Sequence, residues 1–224
     1  MPRVSRKQAR LNRVTIVDNA ARLFLKRGFR SIALSEVMAT SGLTLGGFYG
    51  HFQSREALTN EACTHAFDMA ITFWQQRIAA QRCRRSAHQS IVGEYLRTGR
   101  TDIGENTCPL VAFSAEVAQE PAGSPIHLTY ATGLEALIRT HMHTLDNQEG
   151  SADPAALKAT ALLQYSLMVG AVTLARAARS SPLSEEILQV TRDFLQAAAA
   201  SEPDMTSATS DHKQPGERQQ HGPV

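Results

Sequence analysis

The chain has little of what several classes of protein require. Its three cysteines are an odd number, which does not suit the paired framework that holds small secreted domains together. The sequence contains no glycine-rich phosphate loop between a strand and a helix and no nucleophile elbow. His141 and His143 lie two apart on a predicted helix and so do not face one another as metal ligands. We therefore expect neither an enzyme nor a protein with a cofactor or metal.

Long hydrophobic runs are also lacking. No run approaches the roughly eighteen apolar residues that cross a bilayer, and the basic N-terminus lacks the apolar segment of a signal peptide. Apolar residues make up 42% of the chain and charged residues 20%, which is typical of globular proteins. A length of 224 residues suffices for one or two domains with a core. These features predict a cytoplasmic protein with no membrane partner.

The net charge of +2 conceals an asymmetry. Residues 1–62 contain ten Lys or Arg against four Asp or Glu, so the remainder of the chain is acidic. A basic first segment on an acidic body favours binding of a polyanion by that segment. For the basic arm at residues 3–13 an ordinary solvated surface remains the alternative.

Residues 35–58 predict two short helices joined by a turn at Gly42. Leu34, Val37 and Met38 recur at spacings of three and four, which places one apolar stripe toward a core. A glycine after the last periodic residue ends a helix readily, and the Thr44 hydroxyl can cap the next helix. Phe48 and Phe52 then share its inner face. This arrangement is a helix-turn-helix, whose second helix enters the major groove of DNA.

The chain resembles the tetracycline-repressor (TetR) family of bacterial regulators on these residues. The likeness includes 16–29 as a first helix and continues through Phe48-Tyr49-Gly50-His51-Phe52 to the segment 54–58. Ala33 stands where the family commonly has Thr or Ser, and Leu45 where a polar residue is common. The resemblance covers about the first quarter of the chain. It implies an all-α fold, with an N-terminal three-helix helix-turn-helix domain and a C-terminal helical domain for ligand binding and dimerisation.

The resemblance also implies which residues contact DNA. Phosphate contacts would come from Tyr49, His51 and Arg55. Base reading would come from the start of the recognition helix and one residue of the preceding helix: Ser35, Thr44, Leu45, Gly46 and Gly47. A leucine can read only apolar surface, such as thymine methyl groups. Two alternatives stay open, namely that Tyr49 packs in the core and that the two glycines form a plain flexible turn.

Apolar spacing predicts helices along the rest of the chain. We expect the first helix at residues 12–27, with Val14 in its core stripe and Gly28 at its end, and the fourth at 54–81, capped by Ser54. Further helices are predicted at 90–97, 110–118, 126–145 and 157–178, with a final one after Ser181. The domains are then 1–53 for DNA binding, 54–201 for ligand binding and dimerisation, and 202–224 as a disordered tail.

The family's C-terminal domain holds a small-molecule effector and pairs with a second copy through its last two long helices. Large aliphatic and aromatic side chains dominate such pockets. On that basis the candidate lining is Phe67, Ile71, Trp74, Tyr95, Leu110, Phe113, Leu137 and Met142, and plain core is the alternative for each.

The predicted function is a ligand-responsive regulator, most often a repressor, that a small-molecule effector releases from a near-palindromic operator in double-stranded DNA. Two alternatives remain. Cys108, at a predicted helix start, or Cys83, among arginines, could sense oxidants or electrophiles, although an inert thiol is the preferred interpretation of either. The chain could instead be an architectural protein that binds DNA without sequence preference.

Overall fold

The computed structural model describes residues 5–97, 107–145 and 153–200, and within those ranges all regular structure is helical. The helices are α1 Arg6–Arg27, α2 Leu34–Thr40, a 3-10 helix Leu45–Gly50, α3 Arg55–Ala79, α4 Arg84–Tyr95, α5 Pro109–Val117, α6 Pro125–Leu145, α7 Pro154–Ala177 and α8 Leu183–Ala200. The prediction of an all-α fold is confirmed. The predicted tail at 202–224 lies outside the described residues.

Side-chain caps and one glycine determine where the main helices begin and end. The Ser5 hydroxyl accepts a hydrogen bond from the Gln8 amide and caps α1, so this helix begins earlier than the predicted residue 12. Ser54 caps α3 in the same way by accepting from the Ala57 amide at 3.0 Å, as predicted. Gly28 ends α1 at a φ of 79°, a conformation that glycine adopts without a Cβ penalty.

The head of the molecule is formed by α1, α2, the 3-10 helix and the start of α3. Its core includes Ile16, Phe24, Met38 and Phe48, each at most 2% exposed. The prediction that Val14 belongs to this core is wrong, because its side chain is 66% exposed. Val14 lies with the exposed Arg10 and Leu11, outside the part of α1 where Val17, Ala21 and Phe24 are buried.

The long helix α3 belongs to both halves of the molecule. It packs against α1 in the head and against α6 in the body. Contact with α6 is close because Gly133 has no side chain, and a Cβ there would lie 2.3 Å from the Phe67 ring. The head is therefore attached to the body through a continuous helix rather than through a loose linker.

The last two helices pack against each other on one side of the body. By length and composition alone α7 could cross a membrane, which the sequence analysis did not anticipate. Yet α7 packs against α6 and α8, and its Leu163 and Leu174 are each 60% exposed. On α8, Val190 and Phe194 are 63% and 61% exposed. This side of the described body therefore presents large apolar side chains to its surroundings.

Candidate nucleic-acid interface

A sharp turn follows α2 and leads into the recognition segment, which we define as residues 44–50. Gly42 has a φ of 71°, and the Leu43 amide donates to the Met38 carbonyl at 2.9 Å. The segment then forms a 3-10 helix instead of the predicted α-helix, and the Gly47 amide donates to the Thr44 carbonyl at 3.0 Å. The predicted capping bond from the Thr44 hydroxyl is absent.

Aromatic packing holds the inner side of the recognition segment. Phe48 is fully buried and stacks on Phe52 with ring centroids 5.5 Å apart, as the sequence predicted for these two rings. The Arg13 guanidinium lies over the Phe52 ring at 4.6 Å and forms an ion pair with Glu61 of α3. The inner side of the segment is thus held against α1 and α3, and its outer side faces away from the protein.

The outer side of the segment and the start of α2 carry the residues predicted to read bases, together with Tyr49, which was predicted to contact phosphate. Leu45 is 49% exposed and Tyr49 is 76% exposed, so burial of Tyr49 in the core does not occur. Thr44, Gly46 and Gly47 are exposed as well, and Ser35 is exposed on the neighbouring α2. The structure thus leaves all six of these side chains or backbone positions accessible to a bound duplex.

The two glycines of this surface are not required by the fold. Neither has a positive φ, so an L-residue could adopt the same backbone conformation. A Cβ at Gly46 would meet nothing within 4 Å, and one at Gly47 would meet only the Met38 methyl at 4.0 Å. The fold therefore does not explain either glycine, and close approach of a partner to the backbone stays a prediction.

Of the other two residues predicted to contact phosphates, His51 has its backbone and Arg55 its side chain engaged within the protein. His51 is half-buried, and its carbonyl accepts from Arg13 Nε at 3.3 Å. Arg55 Nη2 donates to the carbonyls of Phe29 and Ile32 at 2.9 and 2.8 Å. One nitrogen of Arg55 therefore holds the loop between α1 and α2, and its contact with a phosphate stays a prediction.

A basic turn at the start of α1 adds to this surface. Arg6, Lys7 and Arg10 are exposed beside the apolar Leu11 and Val14. These cations were predicted to belong to an arm, whereas they are helical in the structure. The signal was Ser5, a residue type common at helix N-termini. Because Arg13 on the same helix contacts His51 and Phe52, the basic turn continues the surface on that side.

The residues predicted to line an effector pocket mostly form packed core. Six are buried and two, Ile71 and Met142, are half-buried: the buried ones are Phe67, Trp74, Tyr95, Leu110, Phe113 and Leu137. The Phe67 ring lies 6.4 Å from the Phe113 ring, and the Trp74 ring stacks on the Tyr95 ring at 6.1 Å. Ile71 also lines a surface groove of about 310 Å³ between α3 and α6. The lining of an effector pocket stays a prediction.

A larger cleft lies between the head and the body. Its volume is about 810 Å³, within the range of small-molecule sites. The head contributes Phe29, Arg30 and Arg55, and the body contributes the turn at 120–126 between α5 and α6. None of the predicted pocket residues lines this cleft. Sequence reasoning could not find it, because its two walls are some ninety residues apart in the chain.

A polar cluster is buried in the body. His88 Nε2 and His141 Nε2 lie 2.9 and 2.6 Å from the same atom, Gln164 Oε1. Burial, together with the neighbouring His88, lowers the pKa of His141 to about 4 despite the opposing effect of the hydrogen bond with Gln164, so the ring is neutral near pH 7. The three residues come from α4, α6 and α7, and no sequence spacing relates them. Their association is visible only in the structure.

The three cysteines lie in different environments. Burial, with the Glu116 carboxylate nearby, raises the pKa of Cys63 to about 12, so this thiol is poorly reactive. Cys83 is exposed, and hydrogen bonds with Ser86 lower its pKa. Cys108 is 8% exposed at the position that precedes α5. The structure thus places the three thiols at very different accessibilities.

Comparison with known proteins agrees with the geometry of the head. Residues 16–62 match the model of the family described as bacterial regulatory proteins, tetR family. That range contains α2 and the whole recognition segment, together with most of α1 and the start of α3.

Two curated relatives and one solved structure extend the comparison. The chain is 38% identical over 56 residues to an uncharacterized HTH-type transcriptional regulator, YerO, of Bacillus subtilis, covering 25% of this chain and 19% of the relative. It is 26% identical over 80 residues to the HTH-type transcriptional repressor KstR2 of Rhodococcus jostii, covering 36% and 39%. These matches therefore span well under half the length of either relative.

The solved structure covers a larger share of the chain. The reduced form of NemR from E. coli superposes with a TM-score of 0.69 at 21% identity, over 83% of this chain and 95% of that one. At such low identity the likeness concerns the fold alone. The named relatives are transcription regulators.

Proposed function

Because residues 16–62 match the model of the TetR family of bacterial regulatory proteins, we propose that the chain is a DNA-binding transcription regulator. It acts as a repressor. It would bind a near-palindromic operator as a homodimer in the cytoplasm and leave it when a small-molecule effector binds the body. The surface of the recognition segment is the observation that carries this proposal.

The recognition segment meets the physical requirements of a DNA-reading element. Its inner side is anchored by the buried Phe48, while Leu45 and Tyr49 stand exposed on its outer side. Tyr49 offers a phenol hydroxyl to a phosphate, and the basic turn at Arg6, Lys7 and Arg10 adds positive charge to the same domain. Few polar side chains remain for bases, so backbone approach and DNA shape would supply much of the selectivity.

The homodimer would form through α7 and α8. Their exposed Leu163, Leu174, Val190 and Phe194 are the kind of apolar surface that a monomer rarely leaves open. A twofold axis through these helices would present two recognition segments to two half-sites, one or more helical turns apart. Phe194→Glu should convert the dimer to a monomer in analytical ultracentrifugation. Leu128→Glu, at an exposed leucine of α6, is the matched control and should leave the dimer intact.

The decisive experiment measures DNA binding by fluorescence anisotropy on an operator selected from random duplexes. We expect the affinity for the selected site to exceed that for random DNA by about 10³-fold or more. It should fall by about 0.9 log units per tenfold increase in salt for each phosphate neutralised. Equal affinity for both duplexes would support the architectural alternative, and the absence of binding would refute the proposal.

The effector would act through the body by binding the non-DNA conformation more tightly. A ligand with equal affinity for both conformations would shift nothing. The cleft between the head and the body is one candidate location, since its walls belong to both parts. The interior around Phe113 and Tyr95 is the other, provided that the packed rings separate to admit a ligand.

Redox control through Cys108 is the second candidate function. This thiol directly precedes α5, where a helix N-terminus stabilises a thiolate, and the similar NemR structure is described as a reduced form. Hydrogen peroxide or N-ethylmaleimide should then release the protein from DNA, and Cys108→Ser should abolish that response. The matched control Cys83→Ser should preserve it. An unchanged response in Cys108→Ser would exclude this residue as the sensor.

A further inference from the structure

A carboxylate of the body binds the end of the first helix of the head. Glu116, in the last turn of α5, accepts a hydrogen bond from the Phe29 amide at 2.7 Å and another from the Arg30 amide at 3.3 Å. Both amides lie just beyond the end of α1. Hydrogen bonds to an ionised acceptor are about twice as strong as neutral ones. This contact therefore joins the two halves at a second place, apart from α3.

The glycine before these amides makes the contact possible. Gly28 has a φ of 79°, and a Cβ built on it would lie 2.4 Å from Glu116 Oε1. Any other residue would therefore be strained in its backbone and would also collide with the carboxylate. The glycine that the sequence marks as the end of a helix has a second role in the structure, because it leaves room for Glu116.

The neighbouring arginine reaches the next turn of the body. Arg30 Nη2 and Nε lie 2.8 and 3.1 Å from Glu120 Oε1. The same guanidinium donates to the Gln119 side chain at 2.9 Å and to its carbonyl at 3.2 Å. We call Gly28, Phe29, Arg30, Glu116 and Glu120 the joint.

The joint is connected to the interior of the body. The Phe29 ring lies 6.2 Å from the ring of Phe113, which is one turn before Glu116 on α5. Phe113 is fully buried and also lies 6.4 Å from Phe67 of α3. A shift of α5 would therefore move the carboxylate and the ring that both contact the head. Well-packed interiors transmit such shifts because they do not deform continuously.

We propose that Glu116 is a positioning residue that fixes the angle of the head on the body, and so determines which spacing between operator half-sites the dimer accepts. This inference rests on the proposed function. If α3 were the sole connection, the head could still tilt on the body by bending of that helix. The joint is a second attachment and removes that freedom. Opening of the joint makes the angle variable, which weakens binding at the optimal spacing more than at neighbouring ones.

The test compares operators whose half-sites are moved apart or together by one and two base pairs. Wild-type protein should bind one spacing best. Glu116→Gln, which keeps the shape of the side chain but removes its charge, should lose about tenfold in affinity at that spacing. It should lose distinctly less at the neighbouring ones, so the spacing profile flattens. Glu135→Gln removes the same charge at an exposed position of α6 and should reproduce the wild-type profile. A uniform loss at all spacings, or no loss, would overturn the proposal.

A second measurement without DNA separates this proposal from the proposed function. Spin labels are placed on the exposed native Cys83 in the body and on a cysteine introduced by Ser35→Cys in the head. All chains carry Cys108→Ser, and labelled chains are diluted in unlabelled ones. Glu116→Gln should broaden the distribution of distances between the two labels, and Glu135→Gln should not. If wild-type protein binds no operator, the proposed function fails, and this distribution alone decides the proposal. An unchanged width in Glu116→Gln would overturn it.

Discussion

Replacement of Gly46 or Gly47 by alanine should change folding stability and DNA binding in opposite directions. Alanine is better than glycine in a helix interior by roughly 0.5 to 1 kcal/mol. In the folded protein the added methyl group finds open space at Gly46 and ordinary van der Waals distance at Gly47. We therefore expect each substitution to leave the free energy of unfolding unchanged or to raise it by up to about 1 kcal/mol.

On DNA the same methyl group should be unfavourable. Both glycines lie on the exposed side of the recognition segment, where each would allow the backbone to approach bases or phosphates closely. A methyl group that holds the two surfaces apart would lengthen several contacts at once. A loss of about 2 kcal/mol, near the value of one good base contact, corresponds to a weakening of roughly thirtyfold.

The assay pairs urea unfolding with operator anisotropy for each variant. Gly93→Ala is the matched control, because this glycine lies in α4 of the body and a Cβ there would also meet nothing within 4 Å. It should gain stability in the same way and bind the operator like wild type. If Gly46→Ala and Gly47→Ala both keep wild-type affinity, the reasoning on close backbone approach is refuted. If the two variants lower the free energy of unfolding, the open space inferred around Gly46 and Gly47 is wrong.

Three further predictions concern single side chains. Replacing operator thymines by uracil should weaken binding if Leu45 reads methyl groups, and a Leu45→Ala variant should lose that difference; equal binding of both operators would exclude this contact. Burial holds the pKa of His141 in the folded protein near 4, whereas its ordinary value is about 6.5. As the pH falls, the unfolded chain therefore takes up the proton first, and the free energy of unfolding should fall by up to about 3 kcal/mol between pH 6.5 and 4. His141→Asn should flatten this pH dependence in urea titrations, and His143→Asn should not. If the pH dependence of His141→Asn equals that of wild type, another group causes it. Iodoacetamide should alkylate the exposed Cys83 well before the buried Cys63 in native protein, as read by mass spectrometry of peptides, and the reverse order would contradict the burial of Cys63.

Much of the head could be predicted from the sequence, because its structure depends on local patterns. The spacing of Phe48 and Phe52 and the Ser54 cap of α3 are all confirmed. What failed locally was the type of the recognition helix. A segment rich in glycine has little preference for the α-helix, and the turn after α2 imposes a tighter geometry.

The body was harder to predict, since its features depend on residues distant in sequence. Most of its helices were foreseen within a few residues, and the predicted 126–145 corresponds to α6 Pro125–Leu145. The prediction of 90–97 was wrong at its start, because α4 begins at Arg84. Whether Phe67 or Trp74 borders a cavity depends on how helices pack, and no periodicity reports that. The association of His88 with His141 was missed for the same reason.

Local residue types alone thus determined that this is an all-α chain with a basic head and a helix-turn-helix surface, because helix spacing, capping and turn chemistry act over a few residues. The tertiary structure decided what each side chain is free to do. It commits part of Arg55 to backbone carbonyls, exposes Tyr49, and brings Glu116 to the end of α1 across some eighty-seven positions of the chain. Such contacts arise from the packing of whole helices, which no local pattern encodes.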